Sequence, residues 1–286
     1  MAANDHLIVA IVLDDGVCSC LVFSLWSGAM VIPRFALPSL PAAVSLSSLS
    51  HFLFVGVNAR VAVWDLGARK NTLQVSASDV LSSSSPLVKA CLVGDLQIPT
   101  LVLANGVCFS FCHDMNAWIC VHDGPKHELS EFQGSSIASP DLFGPRAPLA
   151  SVQAMAASAN FAELSAAAAN LTGSQSTAEA TLSHLESQVL AASQLQSNHE
   201  FRYWTQQYAI QLVRLLTEAI EDAGGPKPVE RTRLKSLCEF LMGSRGAIED
   251  ADVLNKRTVL KDVVLPILST NPTLKSWVQK YKIELQ

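Results

Sequence analysis

Across residues 182–216 the apolar side chains recur at spacings of three and four on either side of a single polar joint, which places each set on one face of a helix. Leu182, Leu185, Val189 and Ala192 form the first stripe. Phe201, Trp204, Tyr208, Leu212, Leu215 and Ala219 form the second, and side chains of that size bury enough apolar area to fix the helix against a neighbour. The joint reads Ser197-Asn198-His199-Glu200, a serine followed three residues later by glutamate, the pattern by which a new helix satisfies its free amide groups. The stretch is therefore two helices, or one sharply bent.

The punctuation around this pair extends the helical region. Ser176 and Glu179 make a capping pair, Gly224-Gly225-Pro226 ends the second long helix, and another helix over 229–242 stops at Gly243. A helix over 252–268 turns Leu260, Val263, Val264 and Ile267 inward, with Pro266 placed to bend it. Asn271-Pro272 supplies an N-cap followed by proline in the first turn and opens a final helix through residue 285. Short connections between such helices predict a bundle over 176–286.

Ahead of the helices the period changes to two. Segments 6–13, 16–25, 29–37, 51–57 and 59–66, then 72–75, 87–92, 100–103, 107–112 and 118–122, are short, rich in β-formers and separated by turn residues. Asp14-Asp15-Gly16 and Asn105-Gly106 make tight hairpins, Val57-Asn58-Ala59 another turn, and Ser82 to Ser85 a polar loop closed by Pro86. The segment Val61-Ala62-Val63-Trp64-Asp65-Leu66 ends as propeller blades of the WD type do, yet the strands suffice for about three blades, too few for a closed ring. The expected class is thus α+β: an antiparallel, incomplete propeller-like β domain over 1–132, then the helical bundle. Between them, 133–175 reads as a Ser/Pro/Gly- and Ala-rich linker, with 150–168 a candidate helix broken at Gly173-Ser174-Gln175. An open run of blades leaves edges and apolar faces that a helix, another domain or a second copy must cover.

A chain of 286 residues buries a core without staples. Its net charge of −5 argues against duplex DNA as a direct partner, since phosphate neutralisation needs clustered Lys and Arg. Mean hydropathy of +0.28 is high, yet no uncharged run approaches the roughly 20 residues of a membrane span. Asp5, Asp14 and Asp15 flank the first short apolar run with no basic segment ahead of it, which is not the pattern of a secretory signal. Seven scattered cysteines fit reduced thiols in an intracellular protein.

Few residues offer chemistry. Trp64 and Asp65 have two readings: an indole packed within the sheet at an ordinary strand end, or an aromatic and acidic anchor of an oligomer or partner interface. Cys108, Cys112 and His113, with Cys120 and His122, are the one set that adjacent strands bring near enough for zinc, although their spacing lacks paired C-x-x-C knuckles; no metal ligand is assigned. His199, Glu200 and Arg202 lie beside a helix start and read as capping and charge pairing, because acid–base work needs groups that converge in a pocket. Arg231, Arg233 and Lys235 read as a solvated helix face. No glycine-rich phosphate loop, nucleophile elbow or H-E-x-x-H helix is present. No catalytic residue and no cofactor are assigned.

Four segments resemble the C-terminal domain of the HIRA (Hir) histone-regulator proteins. They are LESQVLAASQLQSNHEFRYWTQQYAIQLV at 185–213, KRTVLKDVVLPIL at 256–268, VAVWDLGARK at 61–70 and LCEFLMG at 237–243. The resemblance implies a nuclear, non-catalytic scaffold of a replication-independent histone chaperone, active in nucleosome assembly, transcription regulation and repression. It further implies self-association, with a homotrimer expected by likeness to the trimeric adaptor of the replisome, and a calcineurin-binding-type scaffold subunit as partner, with histones reached indirectly. Family members carry a complete WD propeller and a chaperone-binding linker ahead of this domain; neither is visible here, so their contacts are not carried over. The alternatives left open are a metal-assisted hydrolase on the Cys/His strands and a replisome-type adaptor.

Overall fold

Alternation of apolar and polar residues, broken by turns with positive φ, builds twelve strands among the described residues. The structure, a computed structural model, describes residues 1–82, 85–123, 147–157, 177–221, 228–243 and 254–285. Strands β1 (Ala2–Ala3), β2 (Leu7–Asp14), β3 (Val17–Ser24) and β4 (Met30–Ala36) form the first four-stranded antiparallel sheet. β5 (Pro41–Leu46), β6 (His51–Gly56), β7 (Arg60–Asp65) and β8 (Lys70–Ser76) form the second, and β9 (Leu87–Val93), β10 (Ile98–Leu103), β11 (Cys108–Cys112) and β12 (Ala117–His122) the third. Each sheet is a simple meander, the topology of a propeller blade.

Turn chemistry sets the registers. Asp14 pairs with Val17 across a two-residue turn in which Asp15 has φ 48° and Gly16 φ 79°, the left-handed pair a tight hairpin needs. Gly106, at φ 75°, closes the β10–β11 hairpin by donating its N–H to the Leu103 carbonyl.

Two strands lie where the sequence pattern assigns none. β1 is two residues long, and β5 begins at Pro41, whose missing N–H is tolerated because β5 is an edge strand. With β5 in place the second sheet has its full four strands.

The sheets stack face to face, and period-two alternation sends neighbouring side chains of β6 to opposite neighbours. Phe52 and Phe54 pack with Val9, Cys20 and Val22 of the first sheet, whereas Leu53 and Val55 pack with Ala90 and Leu101 of the third. The far face of the third sheet, through Cys91, Val93, Val102 and Val121, is covered by helices. The architecture is therefore an open row of three blades capped at one end by helices, an α+β fold without a closed barrel among the described residues.

The helices are α1 (Pro148–Ala157), α2 (Thr177–Gln194), α3 (Asn198–Glu221) and α4 (Pro228–Met242). α5 runs through Lys256–Val259, Leu260–Val264 and Leu265–Ser269, and a 3₁₀ turn at Pro272–Leu274 leads into α6 (Lys275–Glu284). Leu182, Leu185, Val189 and Ala192 of α2 are all buried, as are Phe201, Trp204, Tyr208 and Leu212 of α3. At roughly 1.5–3 kcal/mol for each large side chain, these two stripes anchor the bundle.

The joint between them is a true break. Gln196 adopts φ 51°, and the Ser197 N–H donates to the Ala192 carbonyl at 3.0 Å, a helix stop usually given to glycine. Ahead of Pro266 the helix widens into a π-helix over Leu260–Val264, where the Leu265 N–H reaches back to the Leu260 carbonyl. Asn271 caps as its sequence predicts, accepting the Thr273 N–H at 2.9 Å, and its amide also donates to Thr217 Oγ1 on α3 at 3.0 Å.

Of the linker expected at 133–175, the structure describes residues 147–157, which form α1 and part of the helix expected at 150–168. The break at Gly173, Ser176 of its capping pair, Gly224-Gly225-Pro226, Asp252 and the tip of the Ser82 to Ser85 loop lie outside the described residues. No helix among the described residues is long and apolar enough to cross a membrane.

Candidate interaction surface between the first two blades

Trp64 sits near the end of β7 opposite Phe52 of β6, on the face that meets the first sheet. Its indole stacks on the Phe52 ring at 5.7 Å between centroids and 26° between planes, meets Phe35 of β4 at 5.5 Å, and receives the edge of Phe54 at 6.3 Å. Four aromatic rings thus lock blade one to blade two, with geometry that favours tilted and offset contacts. The packed-indole reading of Trp64 describes this face.

The rest of the indole borders a cavity of about 250 Å³ lined by Ile32, Pro33, Phe35, Trp64, Asp65 and Leu66, with Arg69, Lys70 and Asn71 on its wall. Asp65 holds the turn beside it. Its Oδ1 accepts the Ala68 N–H at 2.8 Å, and Oδ2 lies 3.8 Å from Nε2 of His51, its partner across the β6–β7 register. Arg69, at φ 56°, turns the chain so that Arg69 and Lys70 stand at the cavity. The site is an aromatic hollow with one carboxylate and two cations beside it, chemistry suited to an apolar side chain with a charged neighbour, not to bond making. Arg69, Lys70 and Pro33 carry no sequence signal of their own; only the meeting of two sheets shows them.

The Cys/His strands do not assemble a metal centre: among the described residues no three of His, Cys, Asp and Glu come together as one. Cys108 stands opposite His122 across β11–β12, but Cys112 pairs with Ala117 and Cys120 with Phe109, and the His113 ring meets the edge of Phe111. Burial pushes the Cys20 and Cys238 thiols up to about 12 and Cys91 to about 11, and it raises Cys108 as well. Protonated thiols of this kind are poor ligands and poor nucleophiles.

His199, Glu200 and Arg202 part company in the fold. His199 and Arg202 are exposed, whereas Glu200 is 1% exposed and its carboxylate accepts the backbone N–H groups of Leu149 at 3.1 Å and Ala150 at 2.7 Å. Glu200 therefore caps α1 as well as bonding Ser197 at its own helix start. The sequence shows only the local half of this role. A second buried polar link, Gln153 Nε2 to Gln188 Oε1 at 2.5 Å, joins α1 to α2.

The family model described as "Hira: TUP1-like enhancer of split" matches residues 28–222, the second and third blades and the α2–α3 pair among them. The chain belongs to the HIRA family. Protein HIRA of Gallus gallus is 29% identical over 269 residues, a match that spans 89% of this chain and 24% of that protein. Protein HIRA of Homo sapiens is 28% identical over 265 residues, again 89% of this chain and 24% of the relative. The chain thus spans about a quarter of the length of the curated HIRA proteins it matches. The crystal structure of HIRA(644-1017) superposes with a TM-score of 0.62 at 23% identity, over 99% of this chain and 80% of that one, and shows that the two share a fold.

Proposed function

We propose that this HIRA-family chain is a non-catalytic assembly module of a replication-independent histone chaperone, acting in the nucleus in nucleosome assembly and transcription regulation. It self-associates, as a homotrimer by family resemblance, and docks the calcineurin-binding-type scaffold subunit, so that histones are reached indirectly. Sequence-specific nucleic acid and membrane play no part in this reading. Family membership supports the chaperone assignment.

The observation that carries self-association is the open aromatic hollow at Trp64 and Asp65. An indole that packs on one side and borders a cavity on the other is a ready anchor for a second subunit. The first sheet adds support, since Val12, Val17 and Val31 stand exposed on it and Trp26, in the turn between β3 and β4, is 81% exposed. A head-to-tail contact repeated by rotation closes a ring, the geometry a trimer requires.

Sedimentation velocity on the full chain tests this reading. The wild type is expected at the mass of three chains at micromolar concentration. Arg69→Glu combined with Lys70→Glu, exposed changes at the hollow, is expected to shift it toward one chain with an unchanged far-ultraviolet spectrum. A wild type at the mass of one chain throughout, or a variant as fully associated as the wild type, removes the assignment of this surface.

A further inference from the structure

The hollow at Trp64 takes one bulky apolar side chain, and the same chain displays one. The hollow lies where edge strand β4 of the first sheet meets edge strand β8 of the second. Its volume of about 250 Å³ leaves room for a large aromatic ring. Trp26 is 81% exposed, has no ring contact among the described residues and does not line the hollow of its own chain. An indole so placed leaves a large apolar area in water.

The turn that presents Trp26 is set in advance. Ser24 Oγ accepts the N–H groups of Trp26 and Ser27, both at 3.3 Å, and the Gly28 N–H donates to the Ser24 carbonyl at 3.0 Å, with Gly28 at φ 66°. Leu25 and Met30 flank the indole and are exposed as well, so the tip is apolar. A turn already bonded loses little freedom on docking.

Charge matches too. The Leu25 N–H donates to the His6 carbonyl at 2.8 Å, which brings Asp5 alongside the tip. Arg69 and Lys70 stand at the hollow. All three are exposed, and none has an ion-pair partner among the described residues. A carboxylate beside the knob thus answers two cations beside the hole, and cations at the wall also favour the face of an incoming indole. Asp65 and Asn71, on the same wall, offer acceptors for its N–H.

We propose that Trp26 of one copy enters the Trp64 hollow of the next, with Asp5 set against Arg69 and Lys70. The inference rests on the reading of the chain as a self-associating module and names the contact that reading leaves open. Because knob and hollow are different patches of one chain, the contact is head-to-tail and closes into a ring when the rotation between copies divides a full turn.

Sedimentation velocity on the full chain tests it. Trp26→Ala, at an exposed position and checked for an unchanged circular dichroism spectrum, is expected to weaken association about tenfold or more, a loss of about 1.4 kcal/mol or more. Asp5→Lys added to Arg69→Glu and Lys70→Glu inverts the charges on both sides and is expected to associate more tightly than Arg69→Glu with Lys70→Glu alone. Asp95→Lys, the same change of charge at an exposed site in the β9–β10 turn, is expected to give that pair no such rescue.

Trp26→Ala as fully associated as the wild type, or a rescue by Asp5→Lys no better than that by Asp95→Lys, overturns the proposal. The same samples separate it from the reading beneath it. If Arg69→Glu with Lys70→Glu dissociates the oligomer while Trp26→Ala does not, the hollow remains the surface and Trp26 is not its occupant. A wild type at the mass of one chain throughout removes self-association itself, and this contact with it.

Discussion

Glu200, in the first turn of α3, accepts the backbone N–H of Ala150 at 2.7 Å across 50 residues of chain. The same carboxylate accepts the Leu149 N–H, so one side chain caps α1 from outside and ties it to the α2–α3 joint. Glu200→Ala leaves both N–H groups buried without an acceptor and is expected to cost about 2–4 kcal/mol, read as a lowered urea midpoint. Glu200→Gln keeps one acceptor and is expected to fall between the two.

Burial is the larger influence on this carboxyl and raises its pKa above the ordinary 4.5, against the lowering effect of Ser197 and the two N–H groups. A group raised on folding contributes fully below its unfolded value and loses that contribution as pH rises through its folded one. The stability difference between wild type and Glu200→Gln is therefore expected to shift with pH above 4.5, with the wild type losing ground as pH rises. A difference that stays flat across that range contradicts the assignment.

Trp64 is expected to matter to folding before it matters to assembly. Its ring contacts Phe35, Phe52 and Phe54 across the two blades, so Trp64→Ala is expected to cost about 3–5 kcal/mol in denaturant unfolding. Trp64→Phe keeps an aromatic ring there and is expected to lose less than half as much. For this reason the oligomer is best probed at Arg69 and Lys70, where the blades are not locked together.

On the helix-facing side of the third blade the hydroxyls of Thr100 and Ser110 bond each other at 2.7 Å, both fully buried. Ser110→Ala alone is expected to cost about 1–2 kcal/mol, because Thr100 retains only a long contact to the Ile98 carbonyl at 3.4 Å. Thr100→Val with Ser110→Ala removes both partners and is expected to recover part of the loss. A double variant as weak as the sum of the singles rules out the pair as a coupled unit.

Thiol reactivity is expected to separate the cysteines. Cys18, Cys20, Cys91, Cys108, Cys112 and Cys238 are buried and Cys120 is exposed. With the Cys20 and Cys238 thiols at about 12, almost none is thiolate at pH 8, so rapid labelling followed by mass spectrometry is expected to find one modified site, Cys120. The raised thiols also stabilise the fold fully below their ordinary value of 9.0, and that contribution declines as pH rises toward 12.

Much of this is written locally. The stripes of α2 and α3, the Asp15-Gly16 and Asn105-Gly106 turns and the Asn271 cap each depend on residues within a few positions of one another, and each appears where its pattern places it. β5 escapes that logic because a strand opening at Pro41 with alanines behind it has little pattern; its partner β6 makes it a strand. The π-helical turn before Pro266 has no period of its own to announce it, although the proline, which cannot donate a backbone bond, marks where the helical ladder must yield. At the candidate site the sequence marks Trp64 and Asp65 but not Arg69, Lys70 or Pro33, whose position comes from the turn of β7–β8 meeting β4.

By itself the sequence determined the period of each segment, the places where it stops, and through the segments at 185–213 and 256–268 the family. Those are short-range matters, set by φ preferences, capping and the side a residue takes on a strand or helix. Tertiary structure alone decided that Glu200 reaches α1, that four aromatic rings join two blades, and that a hollow opens between the third blade and α2. Each of these joins residues dozens of positions apart, and which distant surfaces meet is settled by how the sheets and helices bury their apolar faces together.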